Sequence, residues 1–294
     1  MATPRPTAPP PLLRLAVQKS GRLYDSSVQL LRRCGIDLQN GTGKLKAAAS
    51  NFPIEVYFLR DDDIPGYVAD GVADLGIAGE NVIYESGAAV EVVEKLGFGR
   101  CRLSIALPRD AGYSSPADLQ GRRIATSYPR LLGDFLRQNG VQASIHPISG
   151  SVEIAPGIGL ADAVCDLVSS GSTLFTNGLR EVTTILHSEA ALISRPELDA
   201  DRLALLDKLL LRIRAVNAAR RHKYILLNAP NDRIEDIAAI LPGMKSPTVL
   251  PLATPGWSSL HSVVEEDRFW EIIEDLKALG AQGILVAPIE KMIV

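Results

Sequence analysis

The chain has 294 residues, 46% of them hydrophobic, and a formal net charge of -3 at pH 7. This length predicts about two domains, and the near-neutral charge argues against nucleic acid as a partner, so any anion site must be local. No apolar run reaches the ~18 residues that a membrane helix needs, so we expect no membrane association and a cytoplasmic protein. Residues 1–11 hold five prolines and no apolar signal-peptide core, which predicts a disordered lead.

Strands and helices alternate along the first half of the chain. The predicted strands are Leu12–Val17, Ile54–Leu59, Asp74–Ala78, Arg102–Leu107 and Arg123–Thr126. The predicted helices are Arg22–Cys34, Tyr67–Ala73 and Arg130–Asn139. This alternation is typical of α/β folds with parallel sheets, in which ligand sites lie at the carboxyl ends of the strands.

The segment Asp166–Leu174, DLVSSGSTL, carries the sharpest chemical signal. It reads as a buried strand, a hydroxyl-rich turn and a helix start, and such a turn can direct backbone N–H groups and hydroxyls at a phosphate. Asp166 lies just upstream, where a carboxylate could accept hydrogen bonds from vicinal hydroxyls. Together these features suggest a ribose 5-phosphate, although Ser, Thr and Gly also favour helix caps and turns that bind nothing.

An internal similarity suggests two related lobes. Val68–Val82 aligns without gaps to Leu160–Leu174 with six identities in fifteen pairs, including Asp74 with Asp166 and Gly79 with Gly171. Each copy reads as a helix, a strand headed by Asp, a glycine-containing turn and a second helix. Two α/β lobes facing each other across a cleft would explain the match, and convergence of two similar units would also explain it.

The last part of the chain predicts a separate unit. Its predicted strands are Lys223–Asn228, Thr248–Leu252, Leu260–Val264 and Ile284–Ala287, and its helices are Arg233–Leu241 and Arg268–Leu279. The order β-α-β-β-α-β is ferredoxin-like. This topology is common among small ligand-sensing domains, although a fold by itself does not establish sensing.

A set of motifs runs through the chain from Leu12 to the C-terminus. They are AVQKSGRL, RDDDIPGYV, DLGIAGENV, CRLSIA, RIATSYP, GSVEIAP, DLVSSGSTLFTNGLREV, PTVLPLA and LKALGAQGILVAPIEKM. In this order the motifs resemble the ATP phosphoribosyltransferase family in its long form, which carries a C-terminal regulatory domain.

The resemblance implies a fold and an activity. The expected fold has two periplasmic-binding-protein-like α/β lobes forming a cleft, plus the ferredoxin-like domain. The implied ranges are 12–106 for lobe I, completed by about 196–222, 107–195 for lobe II and 223–294 for a histidine-sensing domain. The implied reaction joins phosphoribosyl pyrophosphate (PRPP) to N1 of ATP and releases pyrophosphate, as the first step of L-histidine biosynthesis. Mg²⁺, histidine and AMP as inhibitors, and a dimer or hexamer are also implied, with no dedicated metal-binding residues because pyrophosphate and water would hold the ion.

The resemblance also implies roles for individual residues. Catalytic positions are Asp166 and Glu153, and the PRPP phosphate loop is Ser169, Ser170, Gly171, Ser172 and Thr173. The wall for ATP, AMP or product is Lys19, Gly21, Arg22, Arg60, Asp74 and Gly79. Histidine contacts are Asn228, Thr248 and Gly283.

Simpler interpretations remain open for several residues. Lys19 and Arg22 could be solvated turn charges, and Glu153 could be a helix cap. For Asp61–Asp63, capping is favoured over metal binding. At the level of function, a non-catalytic two-lobe binding protein for a phosphorylated small molecule is the alternative, and an inactive regulatory paralogue is a further one.

Overall fold

The computed structural model describes residues 11–39, 45–241 and 243–293. It divides into two compact units, one drawn from Met1–Arg32 and Ile36–Leu206 and the other from Arg33–Gly35 and Asp207–Val294. The proline-rich lead predicted over residues 1–11 lies, apart from Pro11, outside the described residues. None of the helices over the described ranges combines the length and apolar character needed to span a bilayer.

Over its described residues, the first unit contains eleven strands and begins a long sixth helix. In chain order the strands are β1 (Leu13–Gln18), β2 (Lys46–Ala48), β3 (Ile54–Leu59), β4 (Leu75–Gly79), β5 (Glu91–Lys95), β6 (Cys101–Pro108), β7 (Arg123–Thr126), β8 (Ser144–Pro147), β9 (Ala163–Val168), β10 (Leu179–Ser188) and β11 (Ala190–Ser194). The helices are α1 (Arg22–Arg33), α2 (Ile64–Ala69), α3 (Glu80–Ser86), α4 (Pro129–Gln138), α5 (Ser172–Thr176) and α6 (Ala200–Arg221).

Lobe I is built on a six-stranded sheet of order β2-β3-β1-β4-β11-β5. Strands β3, β1 and β4 are parallel, whereas β2, β11 and β5 pair antiparallel with their neighbours. Helix α1 buries Leu23, Ser27, Leu30 and Leu31, the spacing of one helical face. The predicted parallel strands form the centre of this sheet, and antiparallel strands lie on both sides of them.

Lobe II is built on a five-stranded sheet of order β10-β6-β9-β7-β8. Here β9, β7 and β8 are parallel, and β6 and β10 are antiparallel. The structure places β6 in this second sheet, although the sequence boundaries assigned residues up to 106 to lobe I. It returns β11 to the first sheet, although those boundaries assigned residues up to 195 to lobe II. The chain thus passes between the lobes twice, before β6 and before β11.

Helix α2 lies earlier than the sequence predicted. It spans Ile64–Ala69 rather than Tyr67–Ala73, and a short 3₁₀ helix over Asp61–Asp63 leads into it. Pro65 occupies the first turn, where its missing N–H costs nothing, and so favours the early start. Gly71, with φ of 71°, turns the chain out of the helix.

The second unit has the predicted ferredoxin-like topology. Its elements are β12 (His222–Pro230), α7 (Ile234–Ile240), β13 (Thr248–Pro251), β14 (Trp257–Glu265), α8 (Glu266–Ala278) and β15 (Gln282–Pro288). The sheet order is β13-β14-β12-β15, with each neighbouring pair antiparallel. One sheet face and the two helices enclose a core that includes Ile225, Leu227, Leu260 and Leu276. The predicted fold class, two α/β lobes followed along the chain by a ferredoxin-like unit, is confirmed.

Candidate active site

The hydroxyl-rich loop follows the carboxyl end of β9. Strand β9 ends at Val168, Gly171 adopts φ of 82°, and α5 begins at Ser172. A left-handed conformation at this point favours glycine, which explains why the turn contains one. The hydroxyls of Ser170 and Ser172 are 3.0 Å apart. The side chains of the four hydroxyl residues, Ser169, Ser170, Ser172 and Thr173, are exposed, so their hydroxyls are accessible to an anion.

Asp166 and Glu153 lie close to each other beside this loop. Asp166 is half-buried in β9, and its Oδ1 accepts a hydrogen bond from the Leu167 N–H at 2.7 Å. The pKa of Asp166 is raised overall, chiefly by burial and also by the nearby Glu153 carboxylate. The Leu167 N–H and Arg22 act in the opposite direction and lower it. Glu153 lies in a short 3₁₀ helix entered through Ser151, whose φ of 50° is positive. Such backbone strain in a non-glycine residue often accompanies a functional site.

The opposite wall of the cleft is formed by the carboxyl edge of the lobe I sheet. Because β1, β3 and β4 are parallel, the residues that follow them meet at one edge. These are Lys19, Gly21, Arg22, Arg60 and Gly79. Arg22 Nη1 donates to Ser169 Oγ at 3.1 Å, so the two lobes touch at the hydroxyl-rich loop. The structure therefore brings five of the six residues predicted for this wall to the edge that faces the loop.

Asp74 is the one residue of the six predicted for this wall that lies away from the carboxyl edge of the sheet. It precedes β4, at the opposite end of that strand from Gly79, and its side chain is fully buried. Its carboxylate accepts hydrogen bonds from Arg14 and lies 3.5 and 3.4 Å from Arg195 and Arg202. This position contradicts the predicted ligand-wall role, since a carboxylate enclosed by three arginines is a structural ion cluster. The aligned Asp166 lies inside β9, so the two aspartates are not equivalent, and the helix predicted before Asp166 is wrong.

A cavity of about 620 Å³ opens between the lobes. Lobe I and lobe II both line it, through Asp62, Val82, Glu85, Ser86, Thr126, Ser127, Tyr128, Pro129, Pro147, Ile148, Ser149 and Gly150. Asn81 Nδ2 donates to the Tyr128 hydroxyl at 3.1 Å, and burial raises the pKa of Tyr128. The two carboxylate oxygens of Glu85 accept from the Arg130 and Leu131 N–H groups at 2.9 Å and so cap α4 from the other lobe.

Tyr128, Asn81 and Glu85 were missed by the sequence reasoning. Tyr128 stands in the RIATSYP motif and Asn81 in DLGIAGENV, so the motifs themselves were the available signal. Glu85 had no such signal, because the helix that it caps lies 45 residues further along the chain.

Asp61 has an unusual environment at the edge of the cleft. Its Oδ1 is buried without a hydrogen-bond partner, and burial followed by the charge of Asp62 raises its pKa to about 6. Asp63 occupies the N-cap of α2 but makes no side-chain capping bond, which leaves the capping interpretation without its expected contact. Among the described residues no group of three His, Cys, Asp or Glu side chains could hold a metal ion.

The residues predicted to contact histidine lie in the second unit. A Cβ placed on Gly283 would be 3.3 Å from Asn228 Nδ2, so Gly283 and Asn228 are neighbours across β15 and β12. Thr248 pairs with His261, and His261 pairs with Leu226, two residues before Asn228. Thr248 and Asn228 therefore share one face of the sheet, separated by β14.

Comparisons with known proteins show the family of the chain. The ATP phosphoribosyltransferase family matches residues 60–215, and the family described as HisG, C-terminal domain, matches residues 219–291. An ATP phosphoribosyltransferase of Cytophaga hutchinsonii is 59% identical over 96% of this chain and 99% of its own. One from Bacteroides fragilis is 55% identical over 96% of this chain and 100% of its own. The chain belongs to the ATP phosphoribosyltransferase family.

Membership of this family makes the protein an enzyme, a pentosyltransferase of histidine biosynthesis. Among solved structures it is similar to the ATP phosphoribosyl transferase (HisG:HisZ) complex from Thermotoga maritima. That match has a TM-score of 0.60 and 27% identity, and it covers 69% of this chain and 99% of the other.

Proposed function

We propose that the protein transfers the 5-phosphoribosyl group of PRPP to N1 of the adenine of ATP and releases pyrophosphate, as the first step of L-histidine biosynthesis. The observation that carries the proposal is the junction at Ser169. There the hydroxyl-rich loop of lobe II meets Arg22 of lobe I at 3.1 Å, with Asp166 just upstream in β9. This arrangement offers hydroxyls and N–H groups to a phosphate, a carboxylate to ribose hydroxyls and a cation to a second phosphate group.

Each residue then has a role that its position supports. Adenine N1 already carries a free lone pair, so the reaction needs alignment rather than a strong base or a protein nucleophile. Asp166 and Glu153 hold the ribose hydroxyls and oppose the positive charge that develops on the ribose ring. Arg22, with Lys19 on the same turn, opposes the negative charge of the departing pyrophosphate.

The cavity between the lobes supports a site for the nucleotide. Its volume of about 620 Å³ lies in the usual range for small-molecule sites, and both lobes contribute to it. Tyr128 lines the cavity, and its pKa is raised chiefly by burial and to a smaller degree by the charges of Asp166 and Asp61, which supports a nucleotide site near the proposed ribose site. ATP in this cavity would present its base toward the ribose of PRPP.

Mg²⁺ is the proposed cofactor, and the residues fit an ion carried by the substrate. The described residues hold no three-ligand acidic or histidine cluster, and Mg²⁺ commonly keeps several waters and binds through substrate phosphates. Bound in that way, it would neutralise the pyrophosphate oxygens. The residues nearest to the expected site are Asp166 and Glu153, which could bind its water ligands.

Regulation and assembly form the second part of the proposal. The ferredoxin-like unit supports histidine feedback inhibition through the face that carries Asn228, Thr248 and Gly283, and AMP would compete in the nucleotide cavity. The Thermotoga maritima relative was solved as a complex, which supports an oligomer for this chain, with a homodimer or hexamer as the expected form. The cytoplasmic location stays a prediction from the sequence.

A pyrophosphate-release assay with purified full-length protein tests the reaction. We expect release that requires ATP, PRPP and Mg²⁺ together and that falls when histidine is added. A non-catalytic two-lobe binding protein would bind PRPP without releasing pyrophosphate, and an inactive paralogue would do neither. Either of those outcomes contradicts the proposed function.

A further inference from the structure

The hydroxyl-rich loop is contacted at its backbone by Arg102, an arginine of the CRLSIA motif for which the sequence predicted no role. Arg102 lies on β6 directly opposite Val168, the last residue of β9. This register brings its guanidinium to the start of the loop, where Arg102 Nη1 donates to the Ser169 carbonyl at 3.2 Å. Ser169 is therefore bound on two sides, by Arg22 at its hydroxyl and by Arg102 at its backbone.

Glu181 fixes the orientation of Arg102. Arg102 Nε and Nη2 donate to the two carboxylate oxygens of Glu181, each at 2.5 Å. Ser104 Oγ donates to the same carboxylate at 2.7 Å, and Ser104 is almost fully buried. The Arg102 guanidinium, with its hydrogen bonds, holds the pKa of Glu181 at about 2, so the pair stays charged at neutral pH. A bidentate pair of this kind locks a guanidinium in one plane.

We infer that Arg102, locked by Glu181, is a positioning residue that sets the backbone of Ser169 for phosphate binding. This inference rests on the proposed function, since it assumes that the loop holds the phosphate of PRPP. Arg102 donates two of its N–H groups to Glu181 and a third to the Ser169 carbonyl, so it orients the loop backbone and is not a free cation that attracts the phosphate. Lysine cannot reproduce this role, because its ammonium is a point charge without the planar fork.

Changes at Arg102 and Glu181 distinguish a positioning role from a purely electrostatic one, because the two roles predict opposite changes in PRPP affinity for Glu181→Gln. Were Arg102 acting only through its charge, Arg102→Lys would bind PRPP like wild type, and Glu181→Gln would bind it more tightly because a nearby negative charge is gone. A positioning role predicts weaker PRPP binding in both variants, because Arg102→Lys removes the guanidinium and Glu181→Gln removes the carboxylate that fixes its orientation. We expect each variant to raise the dissociation constant for PRPP about tenfold, the scale of losing a charged hydrogen bond.

A matched control exists in the same lobe. Arg123 makes the same three contacts, two to Asp162 and one to the Gly159 carbonyl, but at the other end of β9. Arg123→Lys and Asp162→Asn should leave PRPP binding within about twofold of wild type, because such exposed pairs contribute little. Ser104→Ala provides a milder second variant, which loosens Glu181 without removing a charge and should weaken PRPP binding in the same direction.

The experiment is isothermal titration calorimetry of PRPP with each full-length variant. Michaelis constants for ATP and midpoints of thermal unfolding are measured in parallel. The inference expects weakened PRPP binding for Arg102→Lys, Glu181→Gln and Ser104→Ala, with the Michaelis constant for ATP within about twofold of wild type. Unchanged binding in Arg102→Lys, or tighter binding in Glu181→Gln, would overturn it. Wild-type protein that fails to bind PRPP at all would instead overturn the proposed function. If Arg102→Lys or Glu181→Gln does not fold, Ser104→Ala decides alone, and wild-type affinity in it counts against the inference.

Discussion

Replacing Asp74 with asparagine tests whether this residue is structural, as its position indicates, or part of the ligand wall. The side chain is fully buried, and the guanidiniums of Arg14, Arg195 and Arg202 lie within 3.0, 3.5 and 3.4 Å of Oδ1. Asparagine keeps the volume but removes the charge and turns one acceptor into a donor that faces other donors. Removing one member of a buried charge cluster costs about 3–5 kcal/mol.

The expected loss for Asp74→Asn lies at the lower end of that range. The three arginine side chains keep 29%, 25% and 30% exposure, so water recovers part of the interaction. We therefore expect a loss of about 3 kcal/mol, which lowers the thermal midpoint by about 6–12 °C for a unit of this size. Differential scanning calorimetry measures it, and at a temperature where the variant is folded its PRPP affinity should equal that of wild type.

The exposed Arg123–Asp162 pair provides the control for this measurement. Asp162→Asn should change the free energy of unfolding by less than about 1 kcal/mol. An Asp74→Asn variant as stable as wild type, or one with normal stability and lost PRPP or ATP affinity, would refute the structural role.

Three further predictions concern the cleft and the second unit. Asp166→Asn should lower kcat/KM for PRPP in steady-state assays, by a factor that corresponds to about 2–4 kcal/mol of lost transition-state stabilisation, because a charged acceptor for the ribose hydroxyls is lost. An unchanged kcat/KM would make Asp166 structural. The pKa of Asp61, about 6 against 3.8, means that the folded state favours its protonated form, so stability from this group is lost as pH rises through that window. Asp61→Asn should therefore have a free energy of unfolding about 1–2 kcal/mol higher than wild type at pH 8, and this difference should shrink toward pH 4. An equal difference in the free energy of unfolding at both pH values would contradict this. Thr248→Val should weaken histidine inhibition while uninhibited turnover stays normal, and full sensitivity would count against Thr248 as a contact.

The sequence predicted the strands of this protein better than its helices and sheets. The strands Ile54–Leu59 and Arg123–Thr126 have the predicted limits, because each is a short run of strand-forming residues bounded by turn-forming residues such as Pro53 and Gly121. Helix α2 was misplaced because its weak apolar pattern gave no clear start, whereas Pro65 did. The antiparallel direction of β6, β10 and β11 could not be foreseen, since strand direction depends on how the connections run in space.

The candidate site was predicted where it depends on local sequence and missed where it depends on distant pairing. The hydroxyl-rich loop and Asp166 are adjacent in the chain, so their conjunction was visible. Arg102 and Glu181 are 79 residues apart and meet only because β10 pairs with β6, although Glu181 lies opposite Ala106 and Arg102 lies opposite His187. Asp74 was misassigned because its role was taken from the family resemblance, although the predicted strand Asp74–Ala78 already placed it at the amino end, away from the edge where ligands bind.

The loop from Ser169 to Thr173 is proposed to bind the phosphate of PRPP, and a titration of PRPP into two variants of Gly171 tests this assignment. A Cβ at Gly171 would meet Val168 Cγ1 at an ordinary 3.8 Å, and asparagine tolerates the left-handed backbone better than most residues. Gly171→Asn should therefore stay within about tenfold of wild type, whereas Gly171→Asp adds a carboxylate to the anion site and should weaken binding more than about 100-fold. Near-wild-type affinity for PRPP in Gly171→Asp, in a protein that melts normally, would contradict phosphate binding by this loop.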